Sequence, residues 1–220
     1  MRAIEELINT EEPGWELVSS WIKDATNEVK VLNCKKKDGE TALYESQVTT
    51  RSPMGAIVFQ CGGILIDHGW LRIFGAGCDK LPISIPKWNL GKSIENYGEN
   101  APFLIVADDV IGGVYAINGG QFGEDLGMIY YFALDSLEWE PLECTYSDFL
   151  WWALTGDLHK YYQDYRWNNW EKEVAELPGD KVISFYPFLS AKAESLESRH
   201  RGIVSANESY NLNIGLAVQR

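Results

Sequence analysis

PFLIVADDVIGGVYAIN, residues 102–118, is the stretch on which the reading of the fold turns. An apolar run from Phe103 to Ala107 ends in Asp108-Asp109, Gly112-Gly113 supplies a turn, and Val114 to Asn118 resumes as an alternating strand. Beyond the glycine-rich loop at 119–127, MIYYFALDSLEWEPL at 128–142 reads as one longer strand, and YSDFLWWAL at 146–154 as a helix. Short β-branched and aromatic runs punctuated by Gly pairs are hairpin grammar. The expected product is a meander of antiparallel strands backed by a helix. The unbroken apolar run before Asp108 suits a central strand covered on both faces.

Working outward, Ile4, Leu7 and Ile8 form one short amphipathic set. Trp15, Val18, Trp21, Ile22 and Ala25 form a second at helical spacing after Pro13. EVKVLN at 28–33 reads as an edge strand, and Asp38 is expected to cap a helix over about 39–50. AIVFQ at 56–60, ILID at 64–67 and WLRIF at 70–74 read as three strands joined by Gly-containing spacers. Residues 79–100 are a long excursion with at most one helical turn.

After the meander, Ser147 is the expected N-cap and Gly156 the stop; Asp157 caps a second helix, and a third ends at Pro178-Gly179. VISFYPFL at 182–189 is a late strand, and the tail from about 190 reads as irregular with one marginal strand at 212–218. The fold class is α+β: a central, largely antiparallel twisted sheet with helices packed at the N-terminus and after the sheet. One domain over residues 1–220 is expected.

The net charge is −13, with 45% hydrophobic residues and nine Trp. An acidic surface repels the phosphate backbone and anionic headgroups, so neither nucleic acid nor membrane is expected as a partner. A basic protein partner is compatible with it. MRAIEELINTEEPGW lacks an apolar leader run, and no segment approaches the ~20 apolar residues of a membrane span, so the expected location is cytoplasmic. Cys34, Cys61, Cys78 and Cys144 form no CxxC, which points to reduced thiols rather than a zinc site or a disulfide framework. The aromatic crowding at 146–170 exceeds what a helix pair hides and implies core plus an exposed patch.

Chemistry-bearing groups are sparse. Asp108-Asp109 is the strongest polar pair, readable as a cation-holding or acid–base pair. Consecutive strand residues diverge, however, and Asp before Ile-Gly-Gly is turn chemistry, so Asp108, Asp109, Gly112 and Gly113 are assigned to a structural turn. Asp67 and His68 are adjacent and poorly placed to bond each other; His159 and His200 complete a poor histidine supply, and no metal site is expected. GGVYAINGG opens no helix as a GxGxxG would, no phosphate-cradling GxxxxGK occurs, and no cofactor is implied. Cys78, after a Gly turn, reads as a buried thiol rather than a nucleophile. The remaining acidic residues Glu124, Asp125, Asp135, Glu138 and Glu140, with Trp139 and Trp151 as aromatic anchors, are the candidate binding residues: an acidic rim around aromatic centres.

The block running from the 103–107 strand through Asp-Asp, Gly-Gly, VYAIN, GMIYYF and SDFL resembles the core of the SUKH superfamily, over about 101–155. That superfamily includes fungal cell-wall-synthesis regulators, Syd proteins and many immunity proteins. HGWLRIFGAG at 68–77, GDLHKYYQDYRW at 156–167 and ISFYPFL at 183–189 resemble an uncharacterised bacterial family, domain-of-unknown-function family 2625, over most of the chain. The resemblance implies an immunity-like or regulatory protein that sequesters a protein partner such as a basic toxin. Without a catalytic constellation, a non-catalytic protein-binding module is the leading expectation. The alternatives are a small hydrolase using Asp108, Asp109, Asp67 and His68, and a homo-oligomeric structural protein.

Overall fold

The computed structural model describes residues 1–219. In chain order the elements are α1 (Ile4–Leu7), α2 (Gly14–Lys23), β1 (Val29–Leu32), α3 (Lys36–Ser46), α4 (Pro53–Gln60), β2 (Gly63–Ile66), β3 (Leu71–Phe74) and α5 (Ile85–Asn89). They continue as β4 (Phe103–Asp109), β5 (Val114–Asn118), β6 (Met128–Ala133), β7 (Glu138–Thr145), α6 (Tyr146–Thr155), α7 (Leu158–Tyr161) and α8 (Trp170–Glu176). The chain closes with β8 (Lys181–Tyr186), β9 (His200–Ser205) and α9 (Ala206–Val218).

The class is α+β. Strands β1 to β7 form one seven-stranded sheet in which spatial order equals chain order. Every neighbouring pair is antiparallel. The apolar run of β4 sits fourth of the seven, and Ile105 to Asp109 are buried, as a strand covered on both faces requires. Strands β8 and β9 form a separate antiparallel ribbon, tied to the sheet where Ile183 N–H donates to the Val110 carbonyl at 2.7 Å.

Between Ile105 and Ala107 the β4–β5 register slips at a bulge. Asn89, wholly buried at the end of α5, serves that irregularity. Its Nδ2 donates to the Ile105 carbonyl and its Oδ1 accepts the Ile105 N–H, both at 2.8 Å; Nδ2 also reaches the Ile85 carbonyl and Oδ1 accepts from Ser93 Oγ. Four bonds on one buried amide both fix α5 on the sheet and satisfy a backbone that the bulge would otherwise orphan.

Several expectations fail for local reasons. Residues 56–60 are not a strand but the body of α4, started by Pro53 in its first turn with the Ser52 hydroxyl accepting the Gly55 N–H. A continuous apolar run of that length does not distinguish strand from buried helix. Helix α4 packs against α3 at Gly39, where a β-carbon would lie 2.2 Å from the Phe59 carbonyl oxygen. The start of α3 is Lys36, and Asp38 lies in its first turn rather than capping it. The expected long strand 128–142 is a hairpin: Leu137 adopts φ 57° and donates to the Ala133 carbonyl, a left-handed turn residue that Leu side-chain chemistry does not advertise.

Helix α6 is capped by Thr145, not Ser147, through a reciprocal box with Asp148. The tail expected to be irregular from 190 builds β9 and α9. The marginal strand at 212–218 is therefore helix. The buried stripe of α9 is Ala206, Ser209, Tyr210 and Asn213, two of them polar, so apolar periodicity marks it only weakly. The aromatics of 146–170 mostly join the core: Tyr162, Trp167 and Trp170 are buried around Trp70, while Trp151 and Tyr161 remain exposed.

Candidate functional site

Asp108 and Asp109 leave the end of β4 toward opposite faces of the sheet. Asp108 stands opposite Arg72 in the β3–β4 register. Arg72 Nε donates to one carboxylate oxygen at 2.7 Å and Nη2 to the other, a bidentate ion pair in which both side chains are buried. The remaining Arg72 nitrogen donates to the carbonyls of Lys181 at 2.8 Å and Gly179 at 3.3 Å, so the pair also anchors the start of β8.

Asp109 turns the other way. Its Oδ1 accepts the Gly113 N–H at 2.9 Å and the Ile111 N–H at 3.2 Å, closing the β4–β5 turn. Its Oδ2 accepts the Tyr131 hydroxyl at 2.7 Å. Burial pushes this carboxyl up to about 7, with the Tyr131 hydroxyl opposing and the Asp108 charge reinforcing the rise. Gly113 is required beneath it, since a β-carbon there would fall 2.2 Å from the Tyr131 hydroxyl. Beside them, the Tyr115 and Tyr162 hydroxyls share a 2.5 Å hydrogen bond, and Tyr115 stacks between Tyr131 and Phe149. Gly112 carries the left-handed φ of 100° that the turn needs.

Asp67 and His68 form the β2–β3 turn with φ of 54° and 59°. Asp67 is paired with Arg166, whose guanidinium lies over Trp170 at 4.2 Å and Trp70 at 5.1 Å. His68 is exposed, faces Trp170 edge-on and meets Glu28 at 2.8 Å. The cavity touching His68 and Arg72 has a volume of about 20 Å³, room for about one water. Among the described residues, no three His, Cys, Asp or Glu side chains gather as a metal ion would need.

The acidic and aromatic candidates fall into three places. Asp135, Glu138 and Glu140 are exposed around the β6–β7 turn. Asp135 accepts the Tyr165 hydroxyl at 2.7 Å and Glu140 accepts Ser136 Oγ at 3.0 Å. Burial holds the Tyr161 hydroxyl up at about 12, with the Tyr115 hydroxyl opposing and the charges of Asp109, Glu140 and Asp135 reinforcing the rise. Tyr161 in turn packs edge-on against Trp152 at 4.9 Å.

Trp139 alternates to the opposite face, half-buried against Phe122 at 4.5 Å, Phe132 at 5.3 Å and Phe103 at 5.6 Å. Glu124 and Asp125 belong to the 119–127 loop, where Asp125 accepts from Asn118 Nδ2 at 2.8 Å and from Tyr130. Trp151 is exposed and pairs edge-on with Trp21 of α2 at 6.2 Å. Tyr161, Tyr165 and Trp152 are thus the aromatics that accompany the acidic turn, and sequence reasoning placed them only in a general crowd. Arg72 and Tyr131 went unnoticed because each meets its aspartate across the sheet rather than along the chain.

Among the described residues, no helix is long and apolar enough to cross a membrane. Comparison with known proteins gives one family match: the model for "Protein of unknown function DUF2625" covers residues 4–209. The chain is 46% identical to the uncharacterized protein YbfG of Escherichia coli (strain K12), over 96% of this chain and 95% of the relative. It is 40% identical to an uncharacterized protein of Haemophilus influenzae (strain ATCC 51907 / DSM 11121 / KW20 / Rd), over 97% of this chain and 94% of the relative. No solved structure matches the chain.

Proposed function

The chain belongs to the protein family of unknown function DUF2625, and for it we propose a non-catalytic protein-binding role, exercised through the acidic β6–β7 turn and its flanking tyrosines. One observation carries the reading. The four side chains that a hydrolase would need are each engaged elsewhere: Asp108 by Arg72, Asp109 by Tyr131 and two amides, Asp67 by Arg166, and His68 by Glu28. Asp135, Glu138 and Glu140 remain exposed beside the partly exposed Tyr161, with Asp135 accepting from the Tyr165 hydroxyl and Glu140 from that of Ser136.

A charged rim beside aromatic surface is the composition of a recognition patch. The net charge of −13 selects a basic partner and speeds its encounter. The partner docks on side chains rather than adding a strand. Edge strand β7 carries Pro141, a register slip opposite Met128 to Tyr130, and exposed glutamates, three devices that block edge pairing. The SUKH resemblance of residues 101–155 adds an immunity-like or regulatory role, with a basic toxin as the partner.

The test is affinity purification from the native bacterium, followed by reconstitution with the purified partner. The expected result is a stoichiometric basic protein whose affinity falls with salt and is lost on Glu138→Lys/Glu140→Lys. A reconstituted complex indifferent to that charge reversal, or the recovery of no stoichiometric partner, would sink the proposal.

A further inference from the structure

A cleft that shares no residue with the β6–β7 turn lies between α3 and the loop that follows β3. Its cavity of about 280 Å³ is lined by Asp38 and Glu45 from α3, Cys78 and Asp79 from the loop, and Ser84 and Lys87 at the start of α5. Ser84 is 3% exposed, yet its Oγ has no hydrogen-bond partner in the protein. Glu45 Oε2, shielded from solvent and belonging to a residue that lines the same cavity, has none either. Buried polar atoms are nearly always bonded, and leaving one unmet is costly. Two of them in a single cavity mark a place made to receive hydrogen bonds.

The charges define what would supply those bonds. Three carboxylates face one ammonium in this cavity, so an anion is repelled and a cation attracted. A bound metal ion would need a tighter set of oxygen ligands than the cleft supplies. A primary ammonium has three donors and no acceptor, and can bond a carboxylate and a hydroxyl oxygen together. Beside Thr41 and Gly77, Ala42, Ala76 and Pro82 give the lining apolar surface against which methylenes pack.

We propose that this cleft binds a small aliphatic amine of the diamine or polyamine class, one ammonium seated between Glu45 and Ser84 and its methylene chain running along the apolar wall toward Asp38 and Asp79. The site is independent of the β6–β7 surface, so either reading survives the failure of the other.

The experiment is titration calorimetry of the purified full chain with putrescine, with spermidine and, separately, with Nα-acetyl-lysine amide. Circular dichroism checks that each variant is folded. Expected is one-to-one binding of spermidine with Kd below about 1 mM, weakened at least about tenfold by Glu45→Gln and by Ser84→Ala and unchanged by the surface control Asp24→Asn. Absence of binding at about 1 mM amine would overturn the proposal. So would binding that both cleft variants leave intact, because it would then be counter-ion attraction to an acidic chain. Lysine amide binding as tightly as spermidine would assign the cleft to a protein side chain and likewise overturn a free amine.

Discussion

Arg72 grips Asp108 across two neighbouring strands with two parallel N–H donors, 36 residues apart in the chain, and both side chains are buried. Removing one partner leaves the other charge buried and unpaired, at a cost of about 3–5 kcal/mol. Arg72→Met and Asp108→Leu should each lower stability by about that amount in urea unfolding. The double variant should recover much of the loss, since an apolar pair leaves no orphan charge. Double-variant stability no better than the worse single variant would show that Arg72 matters instead through its bonds to Gly179 and Lys181.

Asp109 makes a pH prediction with a definite sign. Its folded carboxyl holds its proton up to about 7, whereas the unfolded chain releases it near the ordinary value of 3.8. Between those values the unfolded state binds fewer protons, so this group's contribution to stability is present at low pH and is lost as pH rises toward 7. Asp109→Asn cannot titrate and keeps an acceptor for the Ile111 and Gly113 amides. The melting temperature of this variant relative to the parent should therefore climb from pH 4 to pH 7. A difference that stays flat across that range would refute the assignment.

Asn89 is the third test. Asn89→Ala strips the N–H and carbonyl of the fully buried Ile105 of their side-chain partners, at about 1–3 kcal/mol for each orphaned group. The expected loss is about 2–6 kcal/mol by chemical denaturation, with faster amide exchange at Ile105. Unchanged exchange there would mean that α5 is held on the sheet by its apolar contacts alone.

Thiol reactivity gives the fourth. All four cysteines are free, and burial pushes the Cys61 thiol up to about 12, leaving almost no thiolate at neutral pH. Native protein treated with iodoacetamide at pH 7.5 should therefore alkylate Cys61 last, after half-buried Cys34 and Cys78, as read by peptide mass spectrometry. Rapid labelling of Cys61 would mean that α4 opens readily, since only a local opening exposes its sulfur.

The antiparallel meander, the central place of 103–107 and the turn after Asp109 could be read from the chain because each rests on a local signal. Alternation with period two separates faces, and Gly pairs with Asx residues mark turns. The same alternation correctly sent Asp108 and Asp109 apart. Helix α4 and the Ala133–Leu137 turn were misread where the local signal is silent: an all-apolar run fits strand or buried helix, and Leu in a left-handed turn has no signature. Helix α9 escaped notice because half of its buried stripe is polar, so docking on the β8–β9 ribbon rather than amphipathic pattern decides it.

Residue type and spacing were enough for an acidic α+β chain built on a hairpin meander. They were not enough to say which partner each side chain meets. Arg72 for Asp108, Tyr131 for Asp109, Tyr165 for Asp135 and the cavity lined by both Glu45 and Ser84 all join residues distant in sequence. Such pairings arise from strand register and from how helices settle on the sheet. Those choices are made by burying non-local surface, an energy that no short window of sequence contains.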